Sequence, residues 1–175
     1  PINFRKLTMV PKGYNSKGLA LFIQGLVNLY NTEKRAKYLD KAYQLAEIII
    51  SQKPNDRDYF CVGYNFFWEA RAFSVPAFTP NVIVSSFVGQ AFLDLYRLDN
   101  NSKWLNLAKD IAKFIELELI LYKSKDTIFF GYIPGEDVKV HNANLMGARL
   151  YARLYYITDN PQYKNYALKS ARYSV

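Results

Sequence analysis

Half of the chain's 175 residues are hydrophobic and 22% are charged, which excludes a disordered chain and suffices for a sizeable core. One cysteine, Cys61, excludes an internal disulfide framework, and one histidine, His141, excludes any site needing two histidines from a single chain. The net charge of +8 is carried by scattered bases, which read as solvated helix faces rather than a nucleic-acid surface; a basic balance also suits an anionic glycan. No apolar run reaches the roughly 18 residues of a membrane span, so none is expected. The start, Pro1-Ile2-Asn3-Phe4, has neither an initiator Met nor a signal-peptide pattern. It reads as an excerpted chain, and a cytoplasmic protein is expected.

In chain order, the first feature is Lys12-Gly13-Tyr14-Asn15-Ser16-Lys17-Gly18. Asn15 or Ser16 should cap a helix, and Lys12 and Lys17 could face an anionic ligand. An internal repeat then organises the chain. Three segments match when aligned on Tyr30, Tyr96 and Tyr155, which lie 66 and 59 residues apart. Each follows a leucine (Leu29, Leu95, Leu154). Eight residues on stands an aromatic (Tyr38, Trp104, Tyr163). Twelve on stands Ala42, Ala108 or Ala167, and sixteen on Ala46, Ala112 or Ala171.

Each copy reads as an inner helix followed by an outer helix. The inner helix of copy two, from Val82 to Tyr96, is apolar nearly all round, as a buried helix is. Its outer helix has a one-sided stripe of Trp104, Leu105, Ala108, Ile111, Ala112 and Ile115, with Lys109 and Lys113 on the other face. The predicted architecture is all-α: one domain of three hairpins over residues 16–52, 81–121 and 142–175. Asp94 and Arg153 each stand two residues before a repeat tyrosine, which predicts an ion pair between neighbouring inner helices.

Links within a hairpin are short, whereas those between hairpins, residues 53–80 and 122–141, are long. Because helices alternate direction, both long links fall on one rim, at the N-terminal ends of the inner helices. Long loops in a compact domain are usually functional. The first contains Gly63-Tyr64-Asn65-Phe66-Phe67-Trp68-Glu69-Ala70-Arg71. Aromatic faces beside polar groups suit sugar rings, which makes Tyr64 and Trp68 candidate contacts. Phe60, Phe66, Phe73 and Phe78 are expected to plug the end of the helical array. Glu69 and Arg71 are charges in an apolar stretch and are expected to be buried, as a paired structural network or as a site. Glu69 is the carboxylate suited to general acid or base work, and Arg71 is shaped to hold a carboxylate.

In the second long link, residues 127–140 read as a short β-hairpin around Pro134-Gly135, with Tyr132 available to a sugar. It leads into His141-Asn142-Ala143-Asn144. Asn142 or Asn144 could cap the third inner helix. A neutral His141 pointing into a cavity would serve as base or hydrogen-bond donor. No metal-ligand cluster, Walker motif or dinucleotide fingerprint occurs, so neither metal nor cofactor is expected.

Three runs resemble proteins found with capsular and exopolysaccharide biosynthesis enzymes, related in fold to six-hairpin glycosidases. They are Pro11-Lys12-Gly13-Tyr14-Asn15-Ser16-Lys17-Gly18-Leu19-Ala20-Leu21-Phe22, the Gly63 to Arg71 run, and Val140-His141-Asn142-Ala143-Asn144-Leu145-Met146-Gly147-Ala148. The resemblance implies an (α/α) toroid with a carbohydrate site at the inner-helix N-terminal rim. A closed toroid has about six hairpins, so three imply a partial ring, a fragment, or a protomer completed by another copy. As an enzyme the chain would be a glycoside hydrolase, a lyase or a uronyl or sugar epimerase. Glu69, His141 and Tyr64 would then handle protons, and Trp68, Arg71, Asn142, Asn144, Tyr132 and Lys12 would hold an oligosaccharide. The alternative is a non-catalytic helical-repeat scaffold for protein–protein interaction. An enzyme site should bring Glu69, Arg71 and His141 together at one cavity.

Overall fold

A computed structural model of the chain describes Phe4, residues 7–9 and residues 12–175. Residues 1–3 of the start and Pro11 of the first resemblance run lie outside the described residues. The helices come in three consecutive pairs: α1 (Ser16–Glu33) with α2 (Ala36–Ile50), α3 (Val82–Asp99) with α4 (Ser102–Glu118), and α5 (His141–Thr158) with α6 (Pro161–Ser174). No helix among the described residues is long and apolar enough to cross a membrane.

The turn inside each pair explains the repeat tyrosines. Lys34, Asn100 and Asp159 close the inner helices in the left-handed conformation, at φ of 56°, 55° and 52°. The backbone N–H of each donates to the carbonyl of Tyr30, Tyr96 or Tyr155, at 2.8 Å in every copy. This satisfies a carbonyl that a helix end would otherwise leave unpaired and reverses the chain within two residues. Asn101 and Asn160 then cap α4 and α6, accepting from the N–H groups of Lys103 and Gln162.

Inner helix α3 lies between inner helices α1 and α5, and each outer helix packs on the inner helix of its own pair. The repeat alanines let the helices close up: Ala42, Ala46 and Ala108 are fully buried and Ala112 nearly so. Gly89 serves the same end between α3 and α5. A Cβ there would stand 2.8 Å from Leu150 Cδ1. The predicted ion pair forms, with Arg153 Nη2 2.7 Å from Asp94 Oδ1. Arg153 Nη1 also donates to the Gln90 carbonyl and side-chain oxygens, at 3.1 and 2.9 Å. The pair therefore ties α5 to α3 at the end opposite the long links.

The long links carry two small antiparallel pairs: β1 (Trp68–Glu69) with β2 (Ser74–Val75), and β3 (Ile120–Lys123) with β4 (Ile128–Phe130). The second corrects the hairpin predicted around Pro134-Gly135. The strands meet upstream, because Ser124 and Thr127 close the turn between them: Ser124 N–H donates to the Thr127 carbonyl at 2.8 Å, and Thr127 N–H to Ser124 Oγ at 3.0 Å. Residues Pro134 and Gly135 form a separate turn outside any strand. The expected plug of phenylalanines is also only partial: Phe60 is buried and Phe73 half-buried, while Phe66 and Phe78 are exposed.

The first link is anchored by a cluster that sequence reasoning missed. Arg57 Nε and Nη2 donate to the two carboxylate oxygens of Glu118 on α4, at 2.7 and 2.9 Å. The Tyr59 hydroxyl donates to the same carboxylate. The Arg57 hydrogen bonds hold the Glu118 carboxyl below its ordinary value against the opposing effect of burial. Burial first, and Glu118 second, push the Tyr59 phenol up to about 12. Cys61 is fully buried beside this cluster, and burial pushes its thiol up to about 12, which makes it a poor nucleophile.

Candidate functional site

Both long links are pinned to the first turn of α3. Val62 N–H donates to Ser85 Oγ at 3.1 Å, and Ser85 Oγ donates back to the Val62 carbonyl at 2.9 Å. Gly63 lies so close to the returning chain that a Cβ would stand 2.0 Å from the Thr79 carbonyl oxygen. From the other link, the Tyr132 carbonyl accepts the Val82 N–H at 3.0 Å. These contacts set Tyr64 and Tyr132 at the same rim.

There the two tyrosines, Lys17, Asn142 and the apolar side chains of Ile83, Phe87 and Met146 line a cavity of about 380 Å³. Lys17, Ile83 and Asn142 are one position seen three times, with the 66- and 59-residue spacings of the repeat tyrosines. Phe87 and Met146, one turn deeper on α3 and α5, are equivalent to each other in the same way. Inner-helix side chains therefore supply the floor, and the two links supply the tyrosines.

Trp68 stands behind this wall, its ring 5.5 Å from that of Tyr132 and 6.3 Å from that of Tyr64. Its Nε1 is shielded from solvent and has no hydrogen-bond acceptor among the described residues. Burial first, and the neighbouring Tyr64 second, push the Tyr132 phenol well above its ordinary value, so its hydroxyl stays protonated. Lys17 Nζ lies 4.7 Å from the centroid of the Phe87 ring, and Lys17 forms no ion pair among the described residues.

Of the residues singled out in the sequence, Lys17, Tyr64, Tyr132 and Asn142 meet at the cavity, with Trp68 adjoining. The convergence expected of Glu69, Arg71 and His141 is not observed, since none of them lines it. Glu69 and Arg71 are exposed rather than buried. The cause is strand alternation: Trp68 packs inward, so Glu69 faces out, where it accepts from Ser74 Oγ at 3.4 Å. His141 is exposed at the start of α5, its Nδ1 3.0 Å from Ser174 Oγ and its ring against Phe129 and Tyr173. Lys12 is exposed ahead of α1.

Asn142 and Asn144 both lie inside α5, whose cap is Val140 with no side-chain bond, which corrects the expected asparagine cap. Asn144 is completely buried. Its Oδ1 accepts from Phe130 N–H at 2.9 Å and from Ser170 Oγ at 2.7 Å. Its Nδ2 donates to the Ser170 carbonyl and to Ser174 Oγ. These bonds join β4, α5 and α6 and leave it no group for a substrate. The floor residues Ile83, Phe87 and Met146 were missed, although the repeat offsets that align them with Lys17 and Asn142 were legible.

No known family model matches the chain. An uncharacterized protein of Caenorhabditis elegans, B0495.5, is 27% identical over 161 residues, covering 86% of this chain and 21% of that protein. Among solved structures, the cellobiose 2-epimerase of Bacillus thermoamylovorans superposes with a TM-score of 0.68 at 15% identity, over 90% of this chain and 44% of that one. An inactive variant of the α-1,6-mannanase of a Salegentibacter species, in complex with α-1,6-mannotriose, superposes with a TM-score of 0.67 at 17% identity. That match covers 92% of this chain and 47% of the mannanase. The fold is a partial α/α toroid. The chain spans less than half the length of either solved structure, and α1 exposes Leu21, Phe22 and Leu29 while the α5–α6 pair exposes Leu145, Tyr156 and Leu168.

Proposed function

We propose that this protein binds a glycan in the rim cavity and is a carbohydrate-active or glycan-binding component of polysaccharide biosynthesis or modification. The observation that carries the reading is the meeting of Tyr64, Tyr132 and Asn142 over an apolar floor at the inner-helix N-terminal rim. Phenol faces stack on sugar C–H groups while hydroxyl and amide groups take the sugar hydroxyls. The likeness in fold to a mannanase holding a mannotriose and to a cellobiose epimerase supports the substrate class. The reading assigns binding to Tyr64, Tyr132 and Asn142. It assigns no proton transfer to Glu69 or His141, which lie outside this cavity.

A second reading, a scaffold for protein–protein contact, is favoured by the apolar flanks of α1 and of the α5–α6 pair, which a second copy or a missing half-ring would cover. One experiment separates the two. A glycan array probed with the wild-type chain, Tyr64→Ala and Asn142→Ala should show binding that both substitutions weaken. An array without a single binder, or binding that neither substitution affects, would leave the scaffold reading.

A further inference from the structure

We propose that the rim cavity takes a sugar carrying an anionic substituent, a uronate carboxylate or a sugar phosphate, with Lys17 as its counter-charge. The inference rests on the glycan reading and names the class of glycan. The polar groups around the cavity are unbalanced in charge. Lys17 is a cation in its lining, and no carboxylate among the described residues lines it. The two partly buried arginines are each matched, Arg57 by Glu118 and Arg153 by Asp94. Lys17 instead rests on the face of Phe87, a weak contact that an incoming anion can replace.

The surroundings favour the same sign. Lys17, Ile83 and Asn142 stand in the first turns of α1, α3 and α5, and none of these turns contains an acidic residue. Three helix starts thus turn their positive ends toward the cavity without a carboxylate to offset them. The Tyr132 phenol stays protonated and is a donor, and the adjoining Trp68 Nε1 is a donor without an acceptor among the described residues. Lys17 also occupies the one position of the three repeats where a charge replaces Ile83 and Asn142. Among the described residues that charge meets the face of Phe87 and no carboxylate. A charge-assisted contact of this kind gives about tenfold or more in affinity.

The test is titration calorimetry on the 175-residue chain at about 0.15 M salt, where diffuse attraction to the basic surface is screened. Matched pairs are used: oligogalacturonides against galacto-oligosaccharides, mannuronate against manno-oligosaccharides, and hexose 6-phosphates against the free hexoses. The acidic member should bind at least about tenfold tighter. Lys17→Met should abolish the preference, Lys17→Arg should retain it, and Lys125→Met, on the exposed β3–β4 turn, should not alter it. Thermal melting checks that the variants fold. Preference in the uronate pairs identifies a carboxylate, and preference in the phosphate pair a phosphate. Equal affinity within every pair, or a preference that survives Lys17→Met, overturns the inference and leaves the glycan reading standing. Absence of binding by every member, acidic and neutral, overturns both.

Discussion

At their C-terminal ends the three inner helices present the same chemistry: Leu-Tyr, a left-handed cap, and a cap N–H on the tyrosine carbonyl at one distance. At their N-terminal ends the equivalent positions are Lys17, Ile83 and Asn142. The difference follows from the links. A two-residue reversal leaves the backbone one way to pair its last carbonyls, so each copy meets the same requirement. The long links meet α3 through Val62 on the Ser85 hydroxyl and the Tyr132 carbonyl on Val82 N–H, and neither contact uses the side chain of Ile83. Variation between copies therefore marks the end of the array that is free to become a site.

The largest effect is expected where that division is least obvious. Asn144 belongs to the variable rim by position but to the framework by its bonds. Asn144→Ala would strand Phe130 N–H and Ser170 in the core and should cost about 2–4 kcal/mol in denaturant melts. A variant of wild-type stability that fails on a glycan array would move Asn144 into the site and blur the contrast.

The anchor of the first link comes next. Arg57→Ala should cost about 2 kcal/mol, since it leaves a partly buried carboxylate unpaired. The same pair gives stability a pH dependence. Glu118 is held below its ordinary value when folded, so its contribution is complete above about pH 5 and is lost as pH falls below about 4. Glu118→Gln should flatten that acid limb. Superimposable acid melts for wild type and Glu118→Gln would show that the link is held by something else.

At the constant rim the cost is smaller and purely conformational. Asn100→Val places a β-branched residue at φ 55° and should cost about 1 kcal/mol, whereas Asn100→Gly should be neutral or slightly stabilising. Neither should alter glycan binding. A binding defect in Asn100→Val would show that the two rims are coupled.

The framework was legible because its causes are periodic and local. The tyrosine, alanine and aromatic offsets placed the three hairpins, and the Asp94–Arg153 pair followed from the same offsets. The site was legible only in part. Tyr64, Tyr132 and Asn142 could be chosen by residue type and rim. Which way Glu69 would face depended on a two-residue strand whose partner, Ser74-Val75, gives no pattern long enough to read. The Arg57–Glu118 contact joins residues 61 positions apart, one of them in a link that the repeat does not include, and nothing in local sequence announces it.

The smallest stability effect belongs to the cavity wall, and it is the most decisive for the contrast between the rims. Tyr64→Phe removes one hydroxyl and keeps the ring that packs on Phe66 and Trp68, so stability should stay within about 0.5 kcal/mol of wild type. The hydroxyl reaches a ligand only if the cavity holds one. Glycan affinity should then fall about tenfold, the loss expected when a bound sugar hydroxyl is left without its partner. Tyr64→Ala should fall further, because stacking goes with the hydroxyl. If Tyr64→Phe binds as wild type while Tyr64→Ala does not, the ring alone makes the contact and the cavity reads shape rather than hydroxyl pattern. If both bind as wild type, the variation among Lys17, Ile83 and Asn142 marks an end of the array that is free to differ but not used for a sugar.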